Sequence, residues 1–151
     1  MGPRQLHRLV ATAEAVTWAL LLTGMVLKYV TRTTDVGVSI GGGLHGFVFL
    51  AYLVTTVLVA VDGRWPARAT VLGLASAVLP FTTLPFERWA RRRDLLADRW
   101  RLRQAAGGGP LERLVGLVLR RPVLASVVTV AALTLVFAGL VRLGPPTTWF
   151  A

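Results

Sequence analysis

The sequence contains no cysteine, which excludes disulfides, thiolate metal sites and a cysteine nucleophile. Histidine is nearly absent too: only His7 and His45 occur, too few for a multi-histidine metal centre within one chain. Charge is scarce and one-sided. Of the 151 residues 16% are charged, against about 25% in an ordinary soluble domain. Seven acids stand against seventeen bases, of which sixteen are arginine. No Gly-rich phosphate loop, Ser-His-Asp order or pair of carboxylates placed for acid–base work is present. Glu87, Asp94, Asp98 and Glu112 alternate with arginines and read as solvated ion-pair partners. No catalytic residue, metal or cofactor is assigned, and a non-enzymatic role is expected.

What the chain has in excess is apolar length. Hydrophobic residues make up 54%, gathered in runs with little or no charge. A spanning helix needs about 20 apolar residues to cross a ~30 Å hydrocarbon layer. Leu9 to Leu27 supplies nineteen, broken only by Glu14. Val36 to Val61 supplies twenty-six with no formal charge, interrupted by His45. Ala69 to Phe86 supplies eighteen, with Pro80 and Pro85 expected to kink or loosen it. Pro122 to Val141 supplies twenty, with Pro122 suited to a first helical turn. Glu14 and the apolar runs that follow mark the first run as a retained span and not a cleaved leader.

These runs predict an all-α polytopic membrane bundle of four transmembrane helices. Residues 1–93 form a three-helix module, 94–121 a basic amphipathic cytoplasmic linker, and 122–151 the fourth helix with a short tail. The segment Glu87 to Arg121 is thirty-five residues long and holds ten of the sixteen arginines. Gly107-Gly108-Gly109-Pro110 breaks it. Trp89, Leu96, Trp100 and Arg103 before the break, and Leu111, Leu114, Val115, Val118 and Leu119 after it, recur at helical spacing. Both pieces are expected to lie on the membrane, apolar side down.

A net charge of +10 would point to nucleic acid in a soluble protein. Beside apolar spans it points instead to anionic headgroups, and no nucleic-acid partner is expected. Arg91, Arg92, Arg93, Arg99, Arg101 and Arg103 are the headgroup contacts predicted. Placing the arginine-rich segment and the Lys28–Asp35 link inside gives a multi-pass protein of a bacterial plasma membrane, N-out and C-out.

An ionisable group at membrane depth costs about 2.5–3.5 kcal/mol and so needs a reason. Glu14, Thr17, Leu21, Gly24 and Lys28 fall on one helical stripe, as do Gly41, His45, Tyr52 and Thr56, and Gly73, Ser76, Pro80 and Thr83. The three stripes are expected to meet inside the bundle. Depth at ~1.5 Å per residue favours a Glu14–Tyr52 hydrogen bond, with Glu14–His45 needing a water or shifted register. Glu14, Thr17, Lys28, His45 and Tyr52 are therefore the candidate polar site, serving packing, a ligand or proton transfer. Gly37, Gly41, Gly42 and Gly46 form overlapping four-residue repeats that let helix backbones approach, within the bundle or in a homodimer.

Several of these residues carry a resemblance. Glu14, Leu27-Lys28-Tyr29, Gly43-Leu44-His45-Gly46 with Phe49 and Tyr52, and Leu79-Pro80-Phe81 with Phe86-Glu87-Arg88 resemble an uncharacterised bacterial integral-membrane family, domain of unknown function 3817. The resemblance covers about Arg8 to Arg93. It implies a compact three-helix membrane module and no particular chemistry. The function expected is that of an accessory or regulatory membrane protein, with another membrane protein as partner. The alternatives are a binder of lipid, quinone or haem that serves as an enzyme subunit, and a proton or small-cation pathway.

Overall fold

A computed structural model describes residues 1–104 and 108–143, and among these the regular elements are all helical. Helix α1, Pro3–Met25, runs on through a π-helical turn, Val26–Val30, and α2 is Val36–Asp62. These two helices are long and apolar enough to cross a membrane. They lie antiparallel, because the link between them is too short for anything else. Their close approach rests on glycine. A Cβ on Gly24 would sit 2.4 Å from the backbone of Gly37, and one on Gly41 would sit 3.1 Å from that of Leu20 and Leu21. Gly42 faces only the Leu21 side chain, at 3.8 Å, and Gly46 faces the Phe137 ring. Gly24→Ala should therefore push the helices apart and cost about 1–3 kcal/mol. Gly42→Ala should be neutral, or stabilising by up to about 1 kcal/mol through lost unfolded-state freedom. Thermal unfolding in detergent compares the two.

The third predicted span is not one helix. Ala69 to Phe86 is divided between α3, Ala67–Ala75, and α4, Thr83–Arg92, which fold back on each other as a hairpin. Pro80 has no N–H to continue a helix, and Phe81 takes a left-handed φ of 63°, reversing the chain. Thr82 donates its hydroxyl proton to the Ser76 carbonyl across the turn. The arms are held side by side: Gly73 lies against the Phe86 ring, and Trp65 Nε1 donates to Leu95 O at 2.7 Å. Both hairpin ends consequently share one end of the α1–α2 pair. At ~1.5 Å per residue each arm reaches about half of a ~30 Å layer.

The arginine-rich segment closes that same end. Its first part is not the helix that the spacing of Trp89, Leu96, Trp100 and Arg103 predicts; α4 stops at Arg92 and only a short 3₁₀ turn, Arg101–Arg103, follows. Leu96, Trp100 and Leu102 turn inward to join Val59, Ala60, Trp65, Phe86 and Ala90 in a buried core. Helix α5, Pro110–Arg120, adds Val115 and Leu119 to that core. Polar clasps hold the segment down. Asp62, 1% exposed, accepts the N–H of Arg101 at 3.1 Å and of Leu102 at 2.8 Å. Arg101 donates to the Asp62 carbonyl and to Glu112, each contact measuring 2.7–2.8 Å. Glu112 also takes Arg64 and the Gly108 N–H at 2.8 Å; the Arg64 guanidinium, first among these, draws its carboxyl down to about 2.

The N-terminus joins the same clasp. Arg4 N–H caps Ala97 O at 3.1 Å, its Nε donates to Leu96 O, and its guanidinium pairs with Asp98 at 2.9 Å. Trp100 Nε1 donates to Met1 O. This geometry corrects the expectation of opposite faces: the N-terminus, the Asp62–Arg68 turn and the arginine-rich segment occupy one end, and Lys28–Asp35 the other. Helix α6, Pro122–Leu143, leaves from α5 and packs along α2, with Phe137 beside Gly46. Gly107 of the expected break and the tail 144–151 lie outside the described residues.

Candidate functional site

Helix α1 turns one polar face inward: His7, Glu14 and Thr17 are all buried, with Ala11 and Ala15 between them. Facing it stand Tyr52 and Thr56 from α2, with Ser76 and Thr83 from the hairpin tip. The polar stripes of the three apolar runs thus do face one another, but through different bonds from the one predicted. Glu14 does not pair with Tyr52. Its Oε2 lies 2.8 Å from Thr83 Oγ1, which also lies 3.2 Å from the Ala11 carbonyl. The Thr83 hydroxyl proton thus lies within reach of both the Glu14 carboxyl and the Ala11 carbonyl. Tyr52 instead meets Ser76 at 3.0 Å; because Ser76 donates to Gly73 O, the phenol is the donor of that pair.

Thr17 donates to the Glu14 carbonyl at 3.0 Å, which makes its oxygen the acceptor for His45 Nδ1 at 3.2 Å. His45 therefore reaches the polar face through Thr17, with the Trp18 ring 4.4 Å from its own. At the arginine end His7 is fully buried among the rings of Tyr52, Trp65 and Phe86, at 5.4, 6.0 and 6.0 Å. Its Nε2 is 3.5 Å from Thr56 Oγ1, at the weak limit of a hydrogen bond. His7, Glu14 and His45 thus each meet one hydroxyl, that of Thr56, Thr83 and Thr17 respectively, along about 15 Å of α1 from His7 to Thr17.

Among the described residues four buried polar atoms have no hydrogen-bond partner: His7 Nδ1, Glu14 Oε1, Trp18 Nε1 and Glu87 Oε1. Two of them, Glu14 Oε1 and Trp18 Nε1, belong to side chains one turn apart on α1 that interact with each other, just outside hydrogen-bond geometry. Unsatisfied buried groups of this kind cost about 1–3 kcal/mol each and gather where function or a small ligand requires them. No cluster of three or more metal-ligating side chains exists among the described residues.

Of the other predicted residues, Lys28 stands apart from the polar face, exposed at the far end with its ammonium 5.6 Å over the Tyr29 ring. Gly37 and Gly41 form the α1–α2 contact described above. Arg91, Arg92, Arg93, Arg99 and Arg103 are exposed, and Arg93 lies over Trp89 at 5.6 Å. Arg101 is half-buried and bonded to Asp62 and Glu112. His7 and Trp18 are site members that sequence reasoning passed over, while Thr83 was read only as part of a stripe and the buried Glu87 as a solvated ion-pair partner. His7 sits between Arg4 and Arg8, ahead of the apolar run that begins at Leu9. Its period of seven with Glu14 was the available signal.

A family model described as a domain of unknown function (DUF3817) matches residues 4–92, from the first turn of α1 to the end of α4. The chain belongs to this family. The protein SCO5905 of Streptomyces coelicolor, which carries a membrane-protein name, is 52% identical over 84 residues; these make up 55% of this chain and 10% of the relative. YdzA of Bacillus subtilis, named an uncharacterized membrane protein, is 31% identical over 72 residues, 48% of this chain and 74% of that protein. This chain thus spans about a tenth of the first relative and three quarters of the second. No solved structure matches. Two long apolar helices and relatives with membrane-protein names make this a membrane protein of a family without assigned activity. The family region holds the entire polar face, whereas most of the arginine-rich segment and α6 lie beyond it.

Proposed function

We propose that this chain is a non-enzymatic accessory module of the bacterial plasma membrane, which docks on or regulates another membrane protein. The observation that carries this reading is portability. A unit of 84 residues forms a tenth of one long relative, while a similar unit forms most of a short one. Such a unit brings its own packing with it, as the α1–α2 glycine contact and the hairpin do here. Exposed Ile40, Leu44, Val57 and Val71 offer apolar surface for lipid or a partner helix. Affinity purification of the full chain from its native membrane, with quantitative mass spectrometry, tests this. A membrane protein recovered in fixed stoichiometry is expected; recovery of lipids alone would sink the reading.

A second reading, a proton or small-ligand site, is favoured by the fully buried Glu14 carboxyl, which bonds Thr83 of the hairpin on the inward polar face. Glu14→Leu leaves Thr83 its Ala11 acceptor, so the structural cost should be no more than about 1 kcal/mol. Glu14→Gln should also fold. Thermal shift in detergent, run beside the growth phenotype of each variant, separates the roles. Stable variants that both lose activity would make titration of Glu14 functional. Stable variants that both keep it would reduce Glu14 to packing.

A further inference from the structure

We propose that the slot between α2 and α6 is a binding site for an anionic phospholipid, with one acyl chain in the slot and its phosphate at Arg103. The slot encloses about 380 Å³. One wall is a single face of α2, from Phe47 through Ala51 and Val54 to Leu58, and the facing wall is α6, including Val130. The eleven rises from Phe47 to Leu58 at ~1.5 Å each give a length of roughly 16 Å. One leaflet of a ~30 Å hydrocarbon layer has that depth. The slot therefore matches a single acyl chain that starts at one interface and stops near the midplane.

Its mouth specifies the headgroup. The slot runs from the arginine end, where Trp100 and Arg103 line it, and Arg103 is the sole charged side chain among its lining residues. Arg103 is anchored through Nε to the Leu119 carbonyl at 3.0 Å, and its side chain remains exposed. A guanidinium held in place at the entrance of an apolar channel suits a phosphate that carries no compensating cation. A partner helix would need a wider groove and would gain nothing from the arginine at the mouth. Lipid accounts for both features. The slot shares no lining residue with the Glu14 face, so it stands or falls independently of the proposed function.

The test uses the full chain reconstituted in phosphatidylcholine bilayers, with Trp100 as the probe. Phosphatidylglycerol brominated on its acyl chains is titrated in, and the quenching that disappears in Trp100→Phe is taken as the signal. Saturable quenching at low mole fraction is expected for brominated phosphatidylglycerol, and only proportional quenching for brominated phosphatidylcholine. Arg103→Gln should lower the preference for phosphatidylglycerol roughly fivefold, the value of one basic side chain at an anionic surface. Ala51→Phe and Val130→Phe, which fill the slot from opposite walls, should each abolish the saturable phase. Equal, proportional quenching by both lipids in the wild type would overturn the proposal, whatever the variants do. So would a saturable phase that survives both fillings.

Discussion

Single cysteines introduced at Gln5, Ala67 and Gly109 should all react from one face of the membrane, and one at Thr33 from the other. The chain has no cysteine of its own, and all four positions lie outside the buried core. The four-span reading puts Ala67 and Gly109 on opposite faces, because it carries the chain across between them. The hairpin returns it to the side it left. With Arg4 tied to Leu96, Ala97 and Asp98, fourteen of the sixteen arginines then share one end, leaving Arg32 and Arg142 with Lys28 for the other. That bias is larger than any obtained by treating the hairpin as a crossing, so the shared end is expected to be cytoplasmic, N-terminus included. A membrane-impermeant maleimide applied to intact cells should label the Thr33→Cys variant alone. Labelling of the other three should require permeabilisation. Opposite-face labelling of the Ala67 and Gly109 variants would dismiss the hairpin.

The difference between the two topologies shows what hydropathy reads and what it omits. Runs of nineteen and twenty-six apolar residues located α1 and α2, because nothing shorter than a spanning helix uses so much apolar chain. Eighteen residues from Ala69 to Phe86 met the same criterion, yet they are shared between two short arms of nine and ten residues. The signal that separates them was local: Pro80 cannot continue a helix, and Pro85 fits the first turn of the next one. A non-helical turn at membrane depth persists only where protein covers its polar groups. Thr82 and Ser76 supply that cover, and a window average sees neither as special. The polar stripes were readable because helical period alone assigns faces. Their bonding was not, since Glu14 takes its partner from a hairpin that the span count did not contain. His45 was read as too distant for Glu14, and it does reach that region only through Thr17.

Asp62 is where the sequence offered least and the fold concentrates most. It reads as one half of an Asp-Gly turn, yet its two carboxylate oxygens hold the backbone of Arg101 and Leu102. Charge-assisted bonds of this kind contribute about 1.5–3 kcal/mol each, and here they lie out of water. Asp62→Ala should therefore destabilise the clasp by about 3 kcal/mol or more, which releases Leu102 and Trp100 from the core. Asp62→Asn keeps one acceptor oxygen and should retain part of the effect. Limited trypsin digestion of the full chain in detergent provides the readout. In the wild type, cleavage after Arg101 should be slow beside cleavage after the exposed Arg91, Arg92 and Arg93. In Asp62→Ala that protection should fall by about a hundredfold, the equivalent of ~3 kcal/mol, while cleavage after Arg91–Arg93 stays unchanged. A segment that simply lay on lipid, held by its arginines, would digest alike in both proteins. Equal rates at Arg101 would therefore return the arginine-rich segment to the membrane surface, and would remove the clasp that joins the N-terminus, the hairpin and α5 at one end.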